Sequence, residues 1–275
     1  MKTRVISGIV IVLMLLVTLV MGGYVTAGVL FFVSLIAYHE LARALSFSNT
    51  DGTISVLELL GILAIVFLYG ATVISGGNMM FYVLAVMLLF FGEAAVFVFT
   101  YPKHSANQLI FSVFSFIYAP MMLSFIYLLR IRENGNYFAW IPFVAWVCDT
   151  CAYFAGRAFG KHKLCPVLSP KKTIEGAIGG CLGSLVVGII FGYVYATTAN
   201  TAITLTESMI SFGIITIVSS IFSQVGDLIA SGIKRDHDIK DYGNLIPGHG
   251  GIMDRFDSVI FITPLIFFMA TFLIK

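Results

Sequence analysis

The sequence predicts an all-α, polytopic integral membrane protein of about nine transmembrane helices with a cytoplasmic N-terminus. Three observations carry that prediction. The 275-residue chain is 59% hydrophobic and only 11% charged, where a soluble domain carries about 25% charged residues. Its mean hydropathy is +0.98. Its apolar residues fall into continuous runs near 5–21, 24–45, 54–75, 79–100, 108–129, 137–156, 174–197, 209–230 and 258–274. A helix needs about 20 apolar residues to cross a bilayer, and runs that do not alternate exclude a membrane β-barrel.

The first run follows Met1-Lys2-Thr3-Arg4. With no small-x-small cleavage site after it, it reads as a retained helix and not a removed signal. Only Met21-Gly22-Gly23 separates it from the second run. The first five runs make an N-terminal region, 1–135, whose loops carry little chemistry. Two acids there, Glu58 and Glu93, lie inside spans. A carboxylate is costly in hydrocarbon and faces a bundle interior or a cavity, so anchoring by a neighbouring helix is at least as good a reading as function.

The remaining region, 136–275, holds four spans and two charge-rich loops, 157–173 and 231–257. Its seventh run carries Gly176, Gly179, Gly180, Gly183, Gly188 and Gly192. The i, i+4 pairs Gly179/Gly183 and Gly188/Gly192 are faces on which helix backbones approach closely. Cys148-x-x-Cys151, with Cys165 and Cys181, has no second Cys/His pair at ligand spacing, so the cysteines read as small apolar helix residues.

Charge sets the orientation. With the N-terminus inside and nine alternating spans, thirteen basic residues fall on the inner side. Only Arg130, Arg132 and Lys275 fall outside, a strong positive-inside bias. Both charge-rich loops are then cytoplasmic, where nucleotides are found. Short loops and the lack of a long polar N-terminal extension suggest a bacterial inner (plasma) membrane.

Three acids stand out. Asp149 lies in the sixth run, Asp227 near the inner end of the eighth, and Asp254 just before the ninth. An ionised carboxylate near hydrocarbon needs a cationic partner. For one acid alone a salt bridge is the better expectation; for Asp227 and Asp254 together a metal is favoured, because carboxylate and phosphate oxygens are the usual shell of magnesium. Cations surround them. Lys171-Lys172 follow Ser169-Pro170 and precede Thr173-x-Glu175, a helix start whose N–H groups and dipole favour an anion. The turn Pro247-Gly248-His249-Gly250-Gly251 lacks the bulk that would keep backbone away from phosphate oxygens. Lys234, Arg235, Lys240 and Arg255 can neutralise several phosphates. For any single basic residue, topology or anionic headgroups suffice; they do not account for the interleaved aspartates, glycines and histidine.

The run Ser231-x-x-Lys234-Arg235-x4-Lys240-Asp241-x-Gly243-x2-Ile246-Pro247-x-His249-Gly250-Gly251-x2-Asp254-Arg255-x-Asp257 resembles the signature of the phosphatidate cytidylyltransferase (CDP-diacylglycerol synthase) family. Ser169-Pro170-Lys171-Lys172-Thr173-x-Glu175-Gly176 and Asp149-Thr150-x-Ala152-Tyr153-x-x-Gly156 resemble two further blocks. The resemblance is specific over 145–258 and rests on length and span number elsewhere. It implies transfer of CMP from CTP to phosphatidic acid, giving CDP-diacylglycerol and pyrophosphate for phospholipid synthesis. It also implies a magnesium-dependent site with Asp227 and Asp254 as metal ligands, a monovalent cation such as K+ beside the magnesium, and a homodimer of helical protomers. Membrane lipid is the setting, and no nucleic acid is expected as a partner.

The chemistry of the residues suits that reaction. Two polyanions need charge neutralisation more than covalent help. A phosphate monoester with a second pKa near 6 is mostly dianionic at neutral pH, so no general base is required. Lys171, Lys172, Lys234, Arg235 and Arg255 are assigned to the triphosphate and the departing pyrophosphate, with Ser169, Thr173, Lys240, Gly250 and Gly251 as further substrate contacts. His249 either donates to a phosphate oxygen or braces its turn. Asp241 and Asp257 either orient Lys240 and Arg255 or touch metal, and Asp149 and Glu175 are secondary candidates. Two other readings remain at this point. A CTP-dependent kinase of a lipid alcohol would attack the γ-phosphorus and release CDP. An ion-coupled anion transporter would use Asp149 and Asp227, although charge and glycine concentrate in the C-terminal half.

Overall fold

In lipid every backbone N–H and C=O must be satisfied within its own segment, which restricts long apolar runs to helices. The computed structural model describes residues 13–49, 53–246, 248 and 250–274. Among them are eight helices long and apolar enough to cross a membrane. These are α1 (Gly23–Ala44), α2 (Val56–Ile74), α3 (Met80–Thr100), α4 (Ala106–Ile131), α5 (Val144–Phe159), α6 (Ile174–Thr198), α7 (Leu205–Asp236) and α8 (Met253–Leu273). The span that contains α5 begins at Gly135 with a short helix and a 3-10 turn. Residues 13–21 are also helical and stop at Gly22, whose φ of 112° only glycine adopts readily. The rest of the predicted first span, 5–12, lies outside the described residues, as do Lys2, Arg4 and Lys275.

The chain divides into two compact units. One comprises Met1–Ile131 with His237–Arg255; the other comprises Arg132–Asp236 with Phe256–Lys275.

In the first unit α1 packs on α2 and α4, α2 on α3 and α4, and α3 on α4. Leucine gains little by leaving lipid for another helix, so polar pairs and close packing hold such bundles. Tyr38 Oη and Ser112 Oγ lie 2.6 Å apart, and Ser112 donates in turn to Glu93. Ser34 pairs with Tyr69 at 2.8 Å, Ser124 donates to Tyr82 at 2.9 Å, and His39 Nδ1 meets Glu58 Oε1 at 2.5 Å. Glu58 and Glu93 are thus anchored by neighbouring helices. Inside α4, residues Ile117–Met121 form a π-turn containing Pro120, whose missing N–H cannot join the regular ladder.

In the second unit α6 lies between α5 and α7 on glycine faces. A Cβ at Gly180 would stand 2.9 Å from the Cys148 carbonyl, and one at Gly192 would stand 2.8 Å from the Ser208 carbonyl. Gly179 and Gly183 face Ala155 and Cys151, while Gly188 faces Phe212 and Thr216. The cysteines are free and act as small packing residues.

Three local features differ from the expectation. The loop 157–173 contains a two-stranded antiparallel ladder, β1 (Lys163–Cys165) with β2 (Ser169–Thr173). The expected loop 231–257 is helical at both ends, because α7 runs to Asp236 and α8 begins at Met253. Hydropathy falls where charge appears, but a helix continues through Lys234 and Arg235, whose charges suit its C-terminal dipole. At 32 residues, α7 is about 48 Å long and exceeds the ~30 Å hydrocarbon core.

Candidate active site

In the second unit the two upstream sequence blocks meet. Thr173 Oγ1 accepts from the Gly176 N–H at 3.1 Å and caps α6. A Cβ on Gly156 of α5 would reach within 2.8 Å of that same hydroxyl. Glu175, in the first turn of α6, accepts from the Lys161 and His162 amides at 3.1 and 3.2 Å and from His162 Nδ1 at 2.6 Å. The carboxylate thereby ties the entry of the β-ladder to the start of α6. Ser169 pairs with Cys165 in that ladder, and Lys171 points into solvent.

Lys172, next along β2, forms an ion pair with Asp227 of α7. Both side chains are about a quarter exposed, at 26% and 27%. Asp227 is brought close to α8 by Gly226, where a Cβ would stand 2.7 Å from Phe261 Cβ and 3.2 Å from the Asp257 carbonyl oxygen. Asp257 is buried at 8% exposure, and one of its oxygens takes the Ser258 N–H at 2.7 Å. Asp227, Lys234 and Asp149 all act electrostatically on it. In this unit the Lys172–Asp227 ion pair therefore joins β2 to α7, while Asp149, Asp227 and Lys234 lie within electrostatic reach of Asp257. Arg235 is exposed in the last turn of α7.

The first unit holds the glycine-rich turn. Asp254 lies in the first turn of α8 and is buried. Its Oδ2 accepts from the Tyr242 N–H at 2.8 Å and the Gly251 N–H at 3.0 Å. Ile246 and Gly250 form an isolated bridge, with Gly250 at φ 86°. Lys240 and Asp241 are exposed, and Arg255 is half-buried. His249 and Pro247 lie outside the described residues.

A residue that sequence reasoning passed over completes this turn. Glu40, near the end of α1, is 5% exposed and accepts from the Ile252 N–H at 3.0 Å and the Met253 N–H at 2.8 Å. Gly243 and Gly251 abut its carboxylate so closely that a Cβ on either would collide with it. The available signal was an acid in Tyr38-His39-Glu40, within an otherwise apolar run.

Among the described residues no three His, Cys, Asp or Glu side chains converge to hold an ion. Magnesium commonly takes one or two protein carboxylates and completes its shell with phosphate and water. Asp227 in one unit and Asp254 in the other each carry a carboxylate of the hard-oxygen type that magnesium takes.

The cytidylyltransferase family model matches residues 2–273. The chain belongs to the cytidylyltransferase family. Family membership makes it a nucleotidyltransferase and extends the likeness over the N-terminal helices, beyond the motif-bearing stretch. Proteins named phosphatidate cytidylyltransferase are similar along the whole length. That of Staphylococcus haemolyticus is 36% identical over 270 residues, covering 97% of both chains. Those of Staphylococcus epidermidis and Staphylococcus aureus are 35% and 34% identical over 272 residues, with the same coverage.

Proposed function

We propose that this cytidylyltransferase transfers CMP from CTP to phosphatidic acid, giving CDP-diacylglycerol and pyrophosphate. The observation that carries the reading is the half-buried Lys172–Asp227 pair, which lies on the helix end whose Asp227 and Lys234 act electrostatically on Asp257. It joins a basic strand to an acidic helix end, in a chain whose full-length relatives carry that activity in their names.

The lipid phosphate dianion attacks the α-phosphorus of CTP in line; a new P–O bond forms as the bond to the β-phosphate oxygen breaks, and pyrophosphate leaves. Lys171, Lys172, Lys234, Arg235 and Arg255 hold the triphosphate and offset charge on the leaving group. Lys172 and Asp227 form an ion pair with each other. Lys172 has the charge to serve a phosphate instead, and Asp227 would then be available to a divalent cation. Asp227 and Asp254 would hold magnesium, which when bound neutralises and polarises phosphate oxygens. The Tyr242 and Gly251 amides fix the orientation of the Asp254 carboxylate. K+ as a second cation and a homodimeric assembly belong to the same proposal on family resemblance alone. The positive-inside bias supports a cytoplasmic N-terminus and site.

Purified protein in detergent micelles should release pyrophosphate only when CTP, phosphatidate and magnesium are all present. Pyrophosphate release without phosphatidate, or turnover with a lipid alcohol in its place, would overturn the proposal.

A further inference from the structure

Two buried carboxylates, Asp254 and Glu40, take the backbone amides of Gly251, Ile252 and Met253, and only one of them, Asp254, has a place in the chemistry above. We propose that Glu40 is a positioning residue for the transfer reaction, holding Gly251 and the N-terminus of α8 so that Asp254 is presented in one orientation. This rests on the functional reading, because it gives Glu40 a role only through Asp254.

The geometry is that of a helix cap supplied from another helix. The first amides of a helix have no partner of their own and carry partial positive charge. Ile252 and Met253 give theirs to the two oxygens of Glu40, from a helix more than two hundred residues earlier in the chain. Gly251 faces Glu40 across its Cα and gives its own N–H to Asp254 Oδ2. The two carboxylates thus take the N–H groups of three consecutive residues, Gly251 by Asp254 and Ile252 and Met253 by Glu40. A shift of Gly251 away from Glu40 moves a donor of Asp254 with it. Glycine is needed at 243 and 251 because any Cβ would displace the Glu40 carboxylate. Gly251 is thus committed to this packing and to Asp254, two roles other than the phosphate contact read from the sequence.

The test uses the full-length enzyme with Glu40→Ala and Glu40→Gln. Amide hydrogen exchange over 250–254 is measured without substrates, and pyrophosphate release from CTP and phosphatidate is measured at graded magnesium. In Glu40→Ala the Ile252 and Met253 amides should exchange faster by about tenfold or more, the strength of a charge-assisted hydrogen bond. The kcat should fall by about tenfold or more, the magnesium concentration for half-maximal rate should rise, and KM for CTP should hardly move. Glu40→Gln, which keeps an acceptor oxygen, should lie between Ala and wild type.

Wild-type kcat and magnesium dependence alongside faster exchange would reduce Glu40 to a structural cap. Unchanged exchange would remove the cap itself. If Glu40→Ala fails to fold, Glu40→Gln decides: wild-type kcat and magnesium dependence there end the proposal. A wild-type enzyme that releases no pyrophosphate sinks the functional reading and the positioning role together, and the exchange data still judge the cap.

Discussion

Replacing Asp227 by asparagine separates what the Lys172 pair does for stability from what it does for chemistry. Two charges about 4 Å apart at an effective dielectric of 20 attract by roughly 4 kcal/mol. Each side chain is about a quarter exposed, at 26% and 27%, so much of that is screened. Exposed pairs contribute up to about 1 kcal/mol, and removing one partner of a buried pair costs about 3–5 kcal/mol. Asp227→Asn should therefore cost about 2 kcal/mol, which lowers the unfolding temperature by roughly 4–8 °C and leaves the protein folded at assay temperature. Activity should suffer far more, at least about a hundredfold, as on removing a group that acts at the reacting charges. The assays are thermal unfolding in detergent and pyrophosphate release from CTP and phosphatidate. The swap Lys172→Asp/Asp227→Lys sharpens the comparison, because it should regain stability and leave turnover lost. A swap that restores turnover, or an Asp227→Asn enzyme above a tenth of wild-type rate, would make the pair purely structural.

Other expectations follow from the packing and the proposed site. Gly176→Ala puts a Cβ 2.8 Å from the Ala152 carbonyl; such overpacking should cost about 1–3 kcal/mol, read as a lower unfolding temperature. Ser112→Ala removes the donor to buried Glu93 and the partner of Tyr38, and should cost about 1–3 kcal/mol with little change in KM for either substrate. Chelation with EDTA should abolish pyrophosphate release and added magnesium should restore it; undiminished release in excess chelator would exclude the Asp227/Asp254 metal proposal.

Most of the membrane architecture was legible because lipid leaves few choices: a continuous apolar run of about 20 residues becomes a helix. Gly22 marked a break because a backbone φ of 112° follows naturally from Gly-Gly. The glycine faces of α6 were readable as i, i+4 pairs, although only coordinates assign Gly180 to α5 and Gly192 to α7. Helix ends were hidden where hydropathy and helicity part company. Lys234 and Arg235 end an apolar run but not α7, and Asp254 precedes an apolar run but lies inside α8. The β1–β2 ladder was invisible because its strands are three and five residues long and carry charge.

The charged motifs named most of the candidate side chains because polar residues next to hydrocarbon need a reason to be there. Their partners were another matter. That Lys172 faces Asp227, and that Thr173 caps α6 beneath Gly156, are facts of three-dimensional approach. Glu40 escaped notice because its partners are backbone amides at Ile252 and Met253, which leave no trace in side-chain patterns.

Following the label from CTP tests the transfer reaction most directly. CTP labelled at the α-phosphorus, incubated with phosphatidate, magnesium and enzyme, should place its label in the lipid phase, while γ-labelled CTP should leave its label in aqueous pyrophosphate. Lipid carrying the γ label, with CDP as the other product, would mean attack at a different phosphorus and a different enzyme.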